Sequence, residues 1–370
     1  MRSNNVLGFI FAATLDDKIP ELASSRTTAS VPIGGKYRII DFDLSNMSNS
    51  GISNVGIVAK SNFQSLMDHV GSGSAYDLSK RRSNLSILPP YDGKAFSSFV
   101  ETIYNMHGYI EHCREEYVLI SQGNVITNID YTDVFDFHSK KKADITLIYK
   151  NHAIPQGYDR PITLDVDNDG KVNQIFVKPG VVDKGVFNHA YGSILIKKDL
   201  LMSEIRNAIS VNQLDVRRLI QSSLGKYSIY AYENKGYCAA ISSINDYFEF
   251  NMDLMKKEVR DELFNPQRPI YTKVRDDAPS RYGLTSNVKN SIIAQGCVIN
   301  GNVENCVISK GVYVGEGAKL SNCIVMQDTK IGCNTNLNYV IIDKDVTIKD
   351  GRSLMGYDSY PIYIAKKSVV

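Results

Sequence analysis

The chain has 370 residues, of which 43% are hydrophobic and 22% are charged. These values predict a globular protein with a sizeable buried core, divided into two domains rather than one. The 42 Lys and Arg residues nearly balance 40 Asp and Glu residues, and the formal net charge of +2 excludes nucleic acid or an anionic membrane as the main partner. Any site for a phosphate group must therefore depend on local charge.

The N-terminal segment and the cysteines indicate a cytoplasmic protein. The apolar run Val6 to Ala13 is shorter than the ~20 residues of a membrane span, and no A-x-A cleavage pattern follows it. The six cysteines form no C-x-x-C pair and no group with histidine, which argues against zinc and against a disulfide framework.

Short apolar runs alternate with helical patterns from the N-terminus to about residue 256. This rhythm indicates βαβ units and a mostly parallel sheet. The predicted strands are Val6 to Ala13, Val55 to Ala59, Tyr117 to Ser121, Ile145 to Tyr149 and Ser193 to Ile196. The predicted helices are Phe99 to Arg114, Tyr131 to Lys142, Lys198 to Ser210, Val216 to Leu224 and Ile244 to Lys257.

The C-terminal part repeats every 17 residues, after a polar, proline-bearing stretch between Asn265 and Ser286 that resembles a linker. A period of 17 or 18 residues corresponds to three hexapeptides, one for each side of a triangular coil. We therefore predict a left-handed β-helix with ladders of apolar side chains stacked inside it. The three columns are Val303, Leu320, Leu337 and Leu354; Val307, Ile324 and Ile341; and Val314, Ile331 and Ile348.

This solenoid is not predicted to be an acyltransferase. Such enzymes normally use a histidine base within or beside the coils, and every histidine of this chain lies at or before His189.

One long segment carries a specific resemblance to a known family. Residues 31 to 52 read VPIGGKYRIIDFDLSNMSNSGI, which resembles the G-G-K-[YF]-R-I-I-D-F-x-L-S-N-x-x-N-S-G-I signature of ADP-glucose pyrophosphorylases. Matches at Ile87 to Tyr91 and Phe176 to Pro179 support it, and the resemblance covers nearly the whole chain. Within this family, the sequence is most similar to the non-catalytic companion subunits of bacterial glycogen synthesis.

The resemblance implies an α/β fold: a nucleotidyltransferase-like (Rossmann-like) mixed sheet domain, followed by the left-handed parallel β-helix. On this basis we expect a first domain at residues 1–262, a linker at 263–285 and the β-helix at 286–370. The family makes ADP-glucose and pyrophosphate from ATP and glucose 1-phosphate, as a tetramer of such chains.

The phosphate-binding loop of the family is replaced in this chain. The family has G-G-x-G-x-R-L after the first strand, where backbone N–H groups approach the triphosphate. Here the segment is Ala13-Thr-Leu-Asp-Asp-Lys-Ile19, with Lys18 in the place of the arginine. Asp16 and Asp17 add negative charge where a polyphosphate would lie. The following K-P pair is Thr28-Ala29, and the nucleotide-contacting G-T-A-D stretch is Ser98-Phe-Val-Glu101.

Both metal-binding carboxylates of the family are expected to be missing. The G-D-H-I-Y stretch aligns with Gly123-Asn-Val-Ile-Thr127, which puts Asn124 at the first aspartate, and Ala240 stands at the second. A neutral amide binds Mg²⁺ poorly without carboxylates. We therefore expect no catalytic residue and no metal or other cofactor in this chain, with Mg²⁺ used by a catalytic partner.

Three basic residues remain as candidate anion contacts. Lys178 matches the family lysine that pairs with the phosphate of glucose 1-phosphate, and a solvated lysine at a strand end is an equal alternative. Lys36 and Arg38 lie where family members bind a phosphorylated effector near the β-helix. The alternative is that they pair with Asp41 or Asp43 or with a partner subunit.

The sequence thus favours a regulatory, non-catalytic subunit of glucose-1-phosphate adenylyltransferase. We expect it to pair with a catalytic homologous subunit, as a tetramer, and to modulate that subunit's activity or effector response. One alternative is a weakly active adenylyltransferase in which Asp16, Asp17 or Glu101 supplies displaced metal ligands. Another is a module that senses a sugar phosphate or an effector without turning it over.

Overall fold

The computed structural model describes residues 5–13, 16–60, 62–79, 84–89, 98–153, 161–177, 185–274 and 276–370. The strands of the N-terminal domain are β1 Val6–Phe11, β2 Pro32–Ile33, β3 Tyr37–Arg38, β4 Asn54–Val58, β5 Asn84–Leu88, β6 Tyr117–Ser121, β7 Val125–Thr127, β8 Ile145–Ala153, β9 Ile162–Val166, β10 Val172–Val177, β11 Val186–Lys197, β12 Ile229–Glu233 and β13 Cys238–Ala240. The α-helices are α1 Pro20–Ala23, α2 Ile39–Asn49, α3 Gln64–Val70, α4 Phe99–Asn105, α5 His107–His112, α6 Tyr131–Lys141, α7 Lys198–Ser210, α8 Val216–Ser222, α9 Ile244–Asp253 and α10 Lys257–Leu263.

Strand β1 lies in the middle of the main sheet, with β4 and β6 parallel to it on its two sides. All six of its residues are buried. Leu7 and Phe9 pack in the core on one face of the sheet, whereas Val6 and Ile10 pack in the core on the other. A strand that is covered by helices on both faces has a continuous apolar sequence rather than an alternating one, as this run shows.

The described strands form a nine-stranded mixed sheet of order β10-β9-β11-β6-β1-β4-β5, to which β8 and β12 are joined through β11. The β1, β4, β5 and β6 pairings are parallel, as is β8 with β12. The mixed sheet that the resemblance implies is thus confirmed. The alternation of apolar runs and helical patterns, taken alone, overestimated the share of parallel strand pairs. Long strand β11 runs antiparallel to β6, β8 and β9.

Two features of the helices differ from the sequence prediction. The single helix expected at Phe99 to Arg114 is broken at Met106, which leaves helical geometry and separates α4 from α5. Helix α2 was not predicted. Its residues 39–47 are all buried, polar ones included, so it lacks the solvent-exposed face that gives an amphipathic helix its sequence pattern. Within the described ranges, no helix has the length and apolar character that a membrane crossing needs.

The C-terminal domain is a solenoid of three parallel sheets, as the 17-residue period predicted. Val303, Leu320, Leu337 and Leu354 occupy equivalent positions in successive strands of one sheet. The first strand of the whole solenoid, β14 at Arg281–Tyr282, lies within the stretch that was interpreted as a linker. The solenoid strands are β14 Arg281–Tyr282, β15 Asn287–Lys289, β16 Ile292–Ile293, β17 Val298–Ile299, β18 Asn302–Glu304, β19 Val307–Ile308, β20 Tyr313–Val314, β21 Lys319–Ser321, β22 Ile324–Val325, β23 Lys330–Ile331, β24 Asn336–Asn338, β25 Val340–Ile342, β26 Thr347–Ile348, β27 Ser353–Met355 and β28 Ile362–Ile364.

One predicted column does not point into the solenoid. Val307, Ile324 and Ile341 are stacked in register, but they pack outward in a core shared with the N-terminal domain. Their sequence neighbours, such as Ile308 and Val325, fill the solenoid interior instead. Because consecutive residues of a strand face opposite sides, both can be apolar only where the outer face is covered. This face of the solenoid is the one that the N-terminal domain covers.

A buried ion pair joins the two domains at this covered face. Arg26 is 2% exposed and Asp343 is 1% exposed. The guanidinium Nη2 atom of Arg26 donates to both carboxylate oxygens of Asp343, at 2.7 and 2.9 Å. Tyr363 donates its hydroxyl to the same carboxylate at 2.6 Å, and the backbone N–H of Lys344 also donates to it at 2.6 Å. These hydrogen bonds offset the cost of removing both charges from water.

We predict that Arg26→Met destabilises the protein by about 3 to 5 kcal/mol, because the carboxylate of Asp343 is left buried without its counter-charge. Urea unfolding followed by circular dichroism measures this loss. Arg206→Met is the matched control, because Arg206 forms an exposed pair with Glu111, which contributes less than about 1 kcal/mol. Equal effects of the two substitutions would contradict a stabilising role for the interdomain pair.

Candidate functional site

The segment that replaces the phosphate loop is tied by two hydrogen bonds to Thr28, at the position of the family's K-P pair. The carboxylate oxygen Oδ1 of Asp16 accepts from the backbone N–H and from the hydroxyl of Thr28, both at 2.7 Å. Thr28 is the first residue of the 3₁₀ helix Thr28–Ser30, so Asp16 lies at the start of that helix. Burial raises the pKa of Asp16, and the two hydrogen bonds oppose this shift.

The next two residues of the segment face solvent. The Asp17 side chain is 91% exposed and lies 3.6 Å from the ammonium group of Lys60. Lys18, at the position of the family arginine, is exposed as well. In this segment the carboxylate of Asp16 is therefore bound to the protein and the carboxylate of Asp17 faces solvent. The family has glycine N–H groups in the same segment.

The two positions expected to have lost metal carboxylates lie side by side. Strands β7 and β13 pair antiparallel, with Ala240 opposite Val125. Asn124 is 1% exposed, and its backbone carbonyl and side-chain Nδ2 bind the backbone of Ile241, at 2.9 and 3.2 Å. The neighbouring residue, Gly123, packs directly against the end of β1. A Cβ there, at φ +64°, would lie 2.4 Å from the carbonyl oxygen of Phe11.

These residues do not fit a magnesium site. Mg²⁺ is usually bound through one or two carboxylates. At these positions the chain offers the methyl group of Ala240 and the neutral amide of Asn124, whose Nδ2 is bound to Ile241. The Oδ1 oxygen of Asn124 has no hydrogen-bond partner among the described residues. No group of three or more His, Cys, Asp and Glu side chains suited to a metal ion occurs within the described ranges.

Asp43, considered from the sequence only as a partner for Lys36 or Arg38, is instead a buried carboxyl group. Asp43 on α2 is 4% exposed and accepts a hydrogen bond of 2.6 Å from the hydroxyl of Ser121, the last residue of β6. Its second oxygen has no partner among the described residues. Burial raises the pKa of Asp43 to about 7. The available sequence signal was the pair of acidic residues Asp41 and Asp43 within the segment that matches the family signature.

Lys36 and Arg38 line a small cationic pocket between the two domains. The segment between the domains contributes Lys273, and the solenoid contributes Lys310 and Lys344. The sequence placed the first two residues near the β-helix, but nothing in it associated them with lysines about 300 positions away. We call this the junction pocket. Its lining residues are Pro32, Gly35, Lys36, Tyr37, Arg38, Asp68, His69, Lys273, Ser309, Lys310, Gln327 and Lys344.

The charges of the junction pocket are held close together. The guanidinium group of Arg38 donates to the carbonyl and hydroxyl oxygens of Ser65, at 2.7 and 2.8 Å. The ammonium group of Lys36 lies 4.8 Å from the centre of the Tyr37 ring. Burial, together with the positive charges of Arg38 and Arg26, lowers the pKa of Lys344 to about 7.

The acidic residues that were alternative partners for these basic side chains hold other groups. Asp41 accepts hydrogen bonds from the ring of His69 at 2.6 Å and from the hydroxyl of Tyr76 at 2.5 Å. It also accepts from the backbone N–H of Arg38, at the start of α2. Lys178, the remaining candidate, lies outside the described residues.

Comparison with known proteins agrees with this architecture. The nucleotidyl transferase family matches residues 17–257, and the GlmU-like C-terminal hexapeptide family matches residues 273–360. The glycogen biosynthesis protein GlgD of Bacillus subtilis is 33% identical over 370 residues, covering 99% of this chain and 97% of the relative. The chain belongs to the glucose-1-phosphate adenylyltransferase family.

Members of this family with both kinds of name are similar to the chain. The glucose-1-phosphate adenylyltransferase of Clostridium acetobutylicum is 31% identical, covering 85% of this chain and 84% of the relative. The glycogen biosynthesis protein GlgD of Geobacillus stearothermophilus is 37% identical, covering 85% and 83%. The chain is therefore a GlgD-like member of the adenylyltransferase family.

We predict that Asp43→Asn changes how stability depends on pH. The pKa of Asp43 is raised in the folded protein, so the protonated form is favoured there, and stability is lost as pH rises from about 4 towards 7. The free energy of unfolding of the wild type should fall, relative to the variant, by about 1 kcal/mol per pH unit in this window. Urea unfolding at pH 5, 6 and 7 measures the difference, and parallel profiles would contradict the raised pKa.

Proposed function

We propose that this chain is a regulatory, non-catalytic subunit that binds a catalytic glucose-1-phosphate adenylyltransferase in the cytoplasm and modulates it in glycogen biosynthesis. The observation that carries this proposal is the carboxylate of Asp16 held on Thr28 in the segment that replaces the phosphate loop. A polyphosphate in that place would be repelled by the negative charge of Asp16. It would also compete with Asp16 for the backbone N–H of Thr28. The two-domain scaffold is retained, which is what pairing with a homologous subunit requires.

A weakly active adenylyltransferase is the competing function, and it needs a displaced carboxylate as metal ligand. Asp16 has one oxygen bound to Thr28 and the other buried without a hydrogen-bond partner among the described residues, and Asp17 faces solvent. Glu101 lies in the first turn of α4. Within the described ranges none of the three belongs to a group of three or more His, Cys, Asp and Glu side chains that could hold a metal ion, which favours the regulatory function.

We predict that the chain forms a hetero-oligomer with the catalytic homologue of its own organism and changes that homologue's rate of pyrophosphate release. Allosteric coupling of about 1 to 3 kcal/mol corresponds to a change of about 5- to 150-fold in affinity for substrate or effector. Size-exclusion chromatography with light scattering measures the assembly, and initial rates with and without this chain measure the coupling.

The control is a catalytic partner whose own metal-binding carboxylates are replaced by amides. A complex of that variant with this chain should release no pyrophosphate. Release from this complex would show that the present chain supplies an active site. Failure of the two wild-type chains to associate would contradict the regulatory proposal.

We propose, as a second function, that the junction pocket binds a phosphorylated or other anionic effector. Five basic residues from both domains line it, with Asp68 as the acidic residue among the lining side chains. The partly buried ammonium of Lys344 is surrounded by the charges of Arg38, Arg26 and Lys366, with Asp343 as the opposing charge. An anion would relieve this repulsion and favour the protonated lysine.

We predict that sulfate binds to the full chain and that its affinity falls as pH rises from 6 to 8. The pKa of Lys344 without ligand is about 7, so a protonated lysine becomes scarcer in this range. Sulfate is a suitable probe because it does not itself titrate there. Calorimetric titration measures the affinity, and Lys344→Met should abolish its pH dependence, whereas Lys319→Met on an outer solenoid face should not. An affinity independent of pH would contradict the role of Lys344.

A further inference from the structure

A cavity of about 620 Å³ lies on the N-terminal domain, in a part of the fold that neither the substituted phosphate loop nor the junction pocket includes. Its walls are helix α6, strand β12 and the turn between β9 and β10, and we call it the α6 cavity. The turn is fixed to β12, because the carbonyl of Gly170 accepts a hydrogen bond of 2.8 Å from the N–H of Ala231. A cavity of this size lies within the range of about 300 to 1,000 Å³ that is usual for pockets that bind small organic ligands.

Aromatic rings form the apolar part of the wall. Phe137 on α6 lies 5.6 Å from Tyr232 on β12, with the rings at 71°, and both side chains are partly exposed. Tyr149 lines the cavity from the neighbouring strand β8. Gly170, at φ +85°, is needed at the turn, because a Cβ there would lie 3.0 Å from the ring of Phe137. Rings of this kind offer flat apolar surface next to polar hydroxyl groups.

A buried acceptor at the cavity has no partner. Asn128 is 7% exposed, and its Nδ2 donates to the backbone carbonyls of Leu263 and Arg268, both at 2.8 Å. These two bonds fix the orientation of the amide, since only the nitrogen can donate. The remaining oxygen is buried without a hydrogen-bond partner among the described residues. The oxygen is enclosed by protein atoms, so Asn128 holds the cavity wall in place and does not itself contact a ligand.

Both signs of charge surround the same space. Asp133 and Glu233 line the cavity together with Lys235 and Arg268, and among the described residues none of these four side chains forms an ion pair. The other charged lining residues are engaged elsewhere: Lys141 pairs with Asp169, and Asp130 and Asp167 accept hydrogen bonds from backbone N–H groups. A phosphate would meet the two carboxylates, and an ammonium ligand would meet the two cations. A neutral polyhydroxyl compound can donate to the carboxylates and accept from the cations at once.

We propose that the α6 cavity binds a short neutral oligosaccharide, with sugar rings stacked on Tyr232 and Phe137 and hydroxyl groups bound by Asp133 and Glu233. This site goes beyond the regulatory function and does not depend on it. Because the similar GlgD proteins are named for glycogen biosynthesis, an α-1,4-linked glucose oligomer is the first compound to test.

The experiment is a calorimetric titration of the full chain with maltotriose. Saturable binding is expected, and Glu233→Gln combined with Asp133→Asn should weaken it about tenfold or more, because each substitution removes a charged hydrogen-bond acceptor. Tyr232→Ala should weaken it through loss of the stacking surface. Asp136→Asn is the matched control, because Asp136 is an exposed α6 residue that does not line the cavity.

Spermidine and inorganic phosphate are titrated in parallel. Saturable binding of either one at this cavity in place of maltotriose would overturn the proposal, and so would no binding of maltotriose to the wild type. Retention of affinity in the double variant, with its unfolding midpoint unchanged, would also overturn it. The partner's rate of pyrophosphate release is measured separately, so a failure here leaves the regulatory proposal to its own test.

Discussion

The contact between Arg26 and Asp343 is the constraint on which the domain junction depends. A guanidinium and a carboxylate that are almost fully buried must remain paired, because separating them would leave two charges in an apolar core. The pair therefore fixes the covered face of the solenoid on the N-terminal domain. It also holds Lys344 next to Arg38, so the charge of the junction pocket follows from the same contact.

The same short segment connects this pair with the substituted phosphate loop. Arg26 binds the solenoid, and Thr28, two residues further along the chain, binds the carboxylate of Asp16. A movement of the solenoid relative to the first domain would therefore act directly on the position at which the family is expected to bind nucleotide. If the chain is the regulatory subunit proposed above, this arrangement offers a physical route between an anion at the domain junction and that position.

The residues at the positions expected for the family's active site also form contacts with one another. Asp16 and Thr28, which replace a loop residue and the lysine of the K-P pair, bind each other. Asn124 binds the backbone next to Ala240, so the neutral residues at the two metal positions are packed together as a structural contact. Restoring a single carboxylate would place a new charge in this buried region, where desolvation is costly.

The periodic parts of the fold could be predicted from the sequence, and contacts across long sequence distances could not. The 17-residue period located the solenoid ladders, because each column repeats a local pattern. It did not reveal that Val307 faces the first domain, since periodicity gives no information on which outer face is covered. Lys36 and Arg38 were recognised from their segment, whereas Lys344 and the raised pKa of Asp43 depend on burial that only the folded chain creates.

The most direct test of the central claim is the initial rate of pyrophosphate release by the purified chain alone, with saturating Mg-ATP and glucose 1-phosphate. The same assay is made on a variant with alanine at Asp16 and Asp17. The account predicts a background rate for both proteins. Turnover by the wild type near ordinary enzyme rates, about 1 to 1,000 per second, that is lost in the variant would contradict it and would identify these carboxylates as displaced metal ligands.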